Sequence, residues 1–273
     1  MDRRLILFAV LAAALGIFVI FSFRTKIPWR HVPEGEKMVF RPSEEGTPVP
    51  LDGSMPVVAL VLDDFGYTRK NLDALKDVNA PLTLAVLPGT PYSGAVCSFA
   101  DRNGLEVILH LPMEPEDETG HLEKNTIGPG MDDATVKKII ADAFRSVSSA
   151  KGMSNHMGSK ATGDTRLMTV VLGDLKRRGK FFLDSFTAKE SACKQVAREV
   201  GIPYARRDIF IDNELEEGYI RRQMKKLEQT AFAGGSAVGI GHDRSVTIDV
   251  LREIVPEMKE NGIRFVYLSE IVK

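Results

Sequence analysis

Apolar and polar positions follow two regimes along the chain. Leu5 to Phe23 form one uncharged, proline-free run, bracketed by Arg3 and Arg4 before it and Arg24 and Lys26 after it. A run of that length crosses a bilayer as a helix. Its small residues Ala12, Ala13 and Ala14 sit mid-run rather than at its end, which predicts an uncleaved signal anchor over residues 1–24. The short N-terminal tail favours an N-in orientation. The expected location is therefore an inner membrane crossed once, with the rest of the chain on the periplasmic side. Residues 25–55 then carry Pro28, Pro33, Pro42, Pro48 and Pro50 with Gly35, Gly46 and Gly53 between them. That composition sustains neither a helix nor a central strand and predicts a semi-extended linker. Trp29, just past the apolar run, fits a membrane–water interface.

From residue 56 to 273 short apolar runs alternate with segments of helical spacing. Val57 to Leu62 is a continuous apolar run, the pattern of a strand buried on both faces. Thr68 to Val78 has helical spacing through Leu72, Leu75 and Val78. Further strands are predicted at 81–87, 105–109, 152–156, 180–183, 203–211 (a weak one), 236–240 and 264–268. Helices are predicted at 91–103, from Asp132 onward, and at 165–178, 189–200, 214–232 and 246–260. Asp132 is an expected N-cap. The stretch from Glu114 to Met131 contains Gly120, Gly128, Pro129 and Gly130 without periodicity and reads as a functional loop. Seven or eight strand–helix units point to a parallel α/β protein. No Gly-x-Gly-x-x-Gly turn follows the first strand, so a (β/α) barrel, irregular or incomplete, is expected over a dinucleotide-binding sheet.

Composition adds mainly exclusions. The chain has 273 residues, 44% hydrophobic and 27% charged, with a formal net charge of −1. That is ordinary globular composition with none of the basic excess of a nucleic-acid-binding surface. Cys97 and Cys193 are too few for a disulfide framework and read as two buried thiols or one bridge.

Chemistry in such a barrel sits at the C-terminal ends of the strands. The first predicted strand ends in Asp63 and Asp64, the third in His110, the fourth in Asn155 and His156, the fifth in Asp184 and Ser185, and the seventh in His242 and Asp243. An Asp there is as often a cap as a catalyst, and a single His is more often a hydrogen-bonded structural residue than a ligand. Recurrence changes that reading: capping does not need histidine at three strand ends. Two adjacent carboxylates also repel unless a cation or proton offsets them. Imidazole and carboxylate are the usual ligands of a hydrolytic divalent ion. His31 and His121 lie in the linker and the loop and receive no role.

The motifs Leu62-Asp63-Asp64-Phe65-Gly66, His110-Leu-Pro-Met-Glu114-Pro, Asn155-His156-Met-Gly158-Ser159, Phe182-Leu183-Asp184-Ser185 and Ile240-Gly241-His242-Asp243 resemble, in that order, those of the divergent polysaccharide deacetylases. The similarity runs from about residue 56 to the C-terminus. It implies a distorted (β/α)7-8 barrel and metal-dependent removal of an N-acetyl or related acyl group from an envelope polysaccharide. By correspondence Asp63 is the base, Asp64 and His110 are ligands of a divalent ion, Zn²⁺ in the first instance, and His242 is the general acid. The third ligand is His156, with Glu114 as the alternative. Asp184 is expected to orient a histidine through a hydrogen bond. Two features depart from the family pattern. Glu114 stands where the second motif has its second histidine, and the arginine–proline motif has no counterpart. They leave open a barrel that binds a glycan or an envelope protein without turnover. A phosphoesterase would need more positive charge than Lys160 and Arg244 supply near the strand ends.

Overall fold

The computed structural model describes residues 55–117 and 122–273. The anchor expected at 1–24 and the linker up to residue 54 lie outside the described residues, as do His31 and His121. Among the described residues no helix is long and apolar enough to cross a membrane.

The chain runs β1 (Val57–Phe65), β2 (Leu82–Val86), α1 (Ser93–Asn103), β3 (Glu106–Met113), α2 (Asp133–Ser146), β4 (Gly152–Met157), α3 (Thr165–Arg177), β5 (Phe181–Asp184), α4 (Cys193–Val200), β6 (Tyr204–Arg206), β7 (Ile209–Phe210), α5 (Glu217–Gly234), β8 (Ser236–His242), α6 (Ser245–Glu260) and β9 (Arg264–Val266). The strands pair in the order β6-β5-β4-β3-β2-β1-β8-β7, with β9 on β1, and every ladder is parallel. β6 and β7 are the two ends of this path and do not pair with each other, so the sheet is a curled half-barrel rather than a closed one. The segment expected as one weak strand, 203–211, crosses that gap. Its first part pairs with β5, Asp208 exchanges bonds with Val238, and its last part pairs with β8.

Alternation along the strands sorts side chains into two layers. Val58, Leu60 and Leu62 of β1 point to the large core under the helices, whereas Ala59 and Val61 point inward with Ala85, Ile108, Phe181, Leu183, Val238 and Ile240. The opposite end of this inner layer is filled by the C-terminal segment through Leu268, Ile271 and Val272. Lys273 and Tyr204 exchange backbone hydrogen bonds there. Cys97 and Cys193 are both buried and free.

Local chemistry shortened two of the expected helices. The Thr68 hydroxyl accepts from the Lys70 backbone N–H, and only Asp73–Val78 winds, as a 3₁₀ turn. Ser191 accepts from the Cys193 N–H and donates to Asp184, so α4 starts at Cys193. Asp132 caps α2 as expected, accepting from the Thr135 N–H at 2.9 Å.

β1 ends in an irregular turn. Its register against β2 shifts between Leu62 and Phe65, Asp64 is left-handed at φ 68°, and Gly66 follows at φ 129°. A Cβ on Gly66 would fall 2.1 Å from Thr90 Oγ1, which Ser93 holds in place at 2.6 Å. Gly66→Ala is therefore expected to cost about 1–3 kcal/mol in chemical denaturation. Gly173→Ala, in α3 with open space around it, should be neutral or stabilising by up to about 1 kcal/mol. Equal melting curves for the two variants would contradict this reading of the turn.

Candidate metal centre

The inner layer turns polar at the C-terminal ends of the strands. The inward positions of β1 continue from Ala59 and Val61 to Asp63, and those of β3 from Ile108 to His110. In β4 the inward set is Ser154 and His156, in register with His110 and Pro112. In β8 it runs from Val238 and Ile240 to His242, which stands opposite Asp63. One alternation rule thus carries Asp63, His110, His156 and His242 to the same rim.

Asp64 breaks the alternation. In a regular strand it would face the helices, but its left-handed backbone brings it to the rim beside Asp63. Its Oδ1 lies 3.4 Å from His110 Nε2 and 3.0 Å from His156 Nδ1, and its Oδ2 lies 3.9 Å from His242 Nε2. Asp63 Oδ2 is 3.5 Å from the same His110 nitrogen. The rings of His110 and His156 meet edge to face at 5.1 Å.

The electrostatics follow from burial and this crowding. Burial, then the charges of Asp64 and Asp212, push the Asp63 carboxyl well above the usual carboxylate range, against the pull of Arg207. Burial acts the same way on Asp64, but the His110 and His156 imidazoles outweigh it and hold Asp64 far below its ordinary value. Burial lowers His110 to about 4, against the opposing effect of Asp64, so its ring is neutral near pH 7. His110 Nδ1 lies 2.7 Å from Ser154 Oγ.

Asp64, His110 and His156 form a group whose donor atoms lie within 4.8 Å of one another, which could hold a metal ion. Asp63 Oδ1 is buried without a hydrogen-bond partner, and Asp64 Oδ1, also buried, faces the ring nitrogens of His110 and His156 without meeting hydrogen-bond geometry. An unpartnered buried carboxylate oxygen costs free energy unless a cation offsets it. One carboxylate and two imidazoles also match the donors of a catalytic zinc site that keeps a position open. The residues therefore fit a divalent ion. Glu114, the alternative third ligand, is outside this group: its carboxylate pairs with Lys160 and packs against Gly128. Its backbone N–H donates to the Ile127 carbonyl.

Asp184 does not reach a histidine. Leu183 takes the inward position of β5, so Asp184 faces the other layer. There it accepts from the Phe186 N–H, the Ser191 hydroxyl and the Tyr204 hydroxyl. The carboxylate that does hold a site histidine is Asp212, fully buried just after β7. Its Oδ1 lies 2.7 Å from His242 Nδ1, and its Oδ2 accepts from the His242 N–H and the Thr247 hydroxyl. The clue was available: Asp212 directly follows the weak strand, the same strand-end position that marked the others. Arg207 was also missed. Its guanidinium donates to the carbonyls of Ser185 and Phe186 and stacks on Phe210, whose ring meets His242 edge to face at 5.1 Å.

Three kinds of similarity accompany this geometry. A family model described as divergent polysaccharide deacetylase matches residues 60–272. The chain is 35% identical over 198 residues to the uncharacterized protein YibQ of Escherichia coli K12, covering 72% of this chain and 62% of that one. It is likewise 35% identical over 204 residues to an uncharacterized Haemophilus influenzae protein, covering 75% and 72%. Among solved structures, an uncharacterized protein of Agrobacterium tumefaciens C58 superimposes with a TM-score of 0.77 at 23% identity, covering 83% of this chain and 93% of that one. The catalytic domain of a peptidoglycan N-acetylglucosamine deacetylase from Eubacterium rectale superimposes with a TM-score of 0.51 at 15% identity, covering 84% and 94%. Both likenesses are of fold.

If Asp64, His110 and His156 take up an ion, Asp64→Asn, His110→Ala and His156→Ala each abolish the rise in melting temperature that Zn²⁺ gives the full-length protein. Glu114→Gln retains it. At a Zn²⁺ concentration 100-fold above Kd the lost stabilisation is about 2.7 kcal/mol. Loss of the Zn²⁺ effect in Glu114→Gln, with His156→Ala unaffected, would reverse the assignment.

Proposed function

This chain belongs to the divergent polysaccharide deacetylase family, and from that premise we propose that it is a metal-dependent hydrolase that removes an N-acetyl or related acyl group from an envelope polysaccharide. The observation that carries the proposal is the convergence of Asp64, His110 and His156, with Asp63 and His242 beside them, on one rim of the half-barrel. Asp64, His110 and His156 would hold the ion. When bound, it would polarise the acyl carbonyl and make neighbouring water more acidic.

The remaining roles fall to this chain's own groups. Asp63, whose Oδ1 has no hydrogen-bond partner, accepts the proton of the attacking water. His242 donates a proton from Nε2 to the departing amine. Asp212 holds the Nδ1 side of that ring, which directs Nε2 into the site and stabilises the imidazolium. Burial pushes the Asp212 carboxyl up, but the His242 imidazole and the Thr247 hydroxyl outweigh it and hold the group below the ordinary carboxylate range. A carboxylate so held stays charged, as an orienting partner must.

Acetate release from N-acetylglucosamine oligomers, with and without Zn²⁺, is the direct assay. Wild-type protein releases acetate only when loaded, and Asp63→Asn releases none. Asp212→Asn lowers kcat by roughly 10²–10⁴-fold. Asp184→Asn, lying in the other layer, lowers the melting temperature and leaves kcat within severalfold. Binding of the oligomers without turnover, unchanged in Asp63→Asn, would replace the hydrolase reading with that of a glycan-binding barrel.

The proposal extends to location. The apolar run from Leu5 to Phe23 would tether the barrel outside the cytoplasm, where envelope polysaccharide is reached. Full-length protein then stays in the membrane pellet after alkaline carbonate extraction. Release into the supernatant would contradict the anchor.

A further inference from the structure

β4 carries two kinds of side chain at its C-terminal end. Ser154 and His156 face the rim, while Asn155 is fully buried on the other side of the strand, where its side chain bonds to the turn after β5. Its amide is used at both ends. Oδ1 accepts from the Ser185 N–H at 2.9 Å, and Nδ2 donates to the Met157 carbonyl at 2.7 Å and reaches Thr187 Oγ1 at 3.4 Å. The opposite placement of the amide would set its oxygen against the Met157 carbonyl, so the network fixes which end is which. The Asn155 backbone carbonyl accepts from the Ser185 hydroxyl, and the Thr187 hydroxyl donates to the same Met157 carbonyl at 3.0 Å.

These bonds hold an unfavourable turn. Directly after His156 the chain passes through Met157 at φ 54° and Gly158 at φ 92°, and the facing turn after β5 has Phe186 at φ 52°. A left-handed Met costs free energy and persists only where its surroundings over-determine it. The peptide group that Asn155 grips is the one between Met157 and Gly158, one residue beyond the imidazole that stands 3.0 Å from Asp64.

We infer that Asn155 is a positioning residue that sets the His156 imidazole toward Asp64 by clamping the Met157 carbonyl against the turn after β5. The inference rests on the reading of Asp64, His110 and His156 as the ion-holding set. A side chain that orients a ligand from behind changes metal affinity by about 10–100-fold when removed. The clamp needs the amide donor, so Asn155→Asp, which keeps the acceptor but turns an oxygen toward the Met157 carbonyl, does not rescue Asn155→Ala.

The test is calorimetric titration of the full-length protein with Zn²⁺, together with the histidine imidazole NMR resonances of the metal-free protein, assigned with His156→Ala. Asn155→Ala and Asn155→Asp are expected to raise the Zn²⁺ Kd by about 10–100-fold and to shift the His156 resonances. Thr187→Val, at an exposed position, makes a smaller change in the same direction and serves if the Asn155 variants do not fold. Asp174→Ala, which removes the partner of Arg177 and Arg178 at the end of α3, lowers the melting temperature without changing Kd. Asn155 and Thr187 variants with wild-type Kd and unmoved resonances overturn the inference, as does full affinity in Asn155→Asp. If wild-type protein takes up no Zn²⁺, the ion reading fails by itself, and the imidazole resonances still decide whether Asn155 positions His156.

Discussion

The left-handed backbone of Asp64 lets two neighbouring residues of one strand serve one site. A regular strand sends adjacent side chains to opposite faces, so Asp63 and Asp64 could not both approach His110. The register break after Leu62 and the φ of 68° at Asp64 remove that restriction. The consequence is two carboxylates within 3.5 Å of a single buried imidazole nitrogen. Such crowding raises the free energy of the cluster while no cation is present, which is the physical basis for expecting one.

The rest of the fold supports that arrangement. The parallel register of β1 with β8 places His242 opposite Asp63, and that of β3 with β4 places Ser154 beside His110. The gap in the half-barrel has a use as well. The segment crossing from β6 to β7 delivers Arg207 behind the site, and the residues just after β7 deliver Asp212. The turns after β4 and β5 are joined by Asn155 and Thr187, and Arg207 continues from the second turn to Phe210 and His242.

Much of this was legible in the sequence, for a specific reason. Apolar runs ending in Asp, His or Asn mark the C-terminal ends of parallel strands, and Asp63, Asp64, His110, His156 and His242 all converge as that rule expects. What sequence could not provide was which face each position takes. Asp184 ends a strand as His242 does, but Leu183 holds the inward position and turns Asp184 to the other layer. Asp212 also follows a predicted strand, but only Ile209–Phe210 of its last part pairs with β8, too little to show which face Asp212 takes. Glu114 is a candidate ligand because it stands where the resembled family's second motif has its second histidine and a carboxylate can bind zinc, but Lys160, which pairs with it, is 46 residues away. Thr68 to Val78 has helical spacing, yet only Asp73–Val78 winds, because the Thr68 hydroxyl accepts from the Lys70 N–H, a competition that periodicity does not register.

The central claim is that the kink at Asp64 builds a three-residue ion site with His110 and His156. The most direct measurement is a crystal structure of the Zn²⁺-loaded protein with the ion located by anomalous scattering. The account predicts one ion within about 2.0–2.3 Å of an Asp64 oxygen, His110 Nε2 and His156 Nδ1. An ion held by Glu114 in place of His156, or none at these three residues, would contradict it.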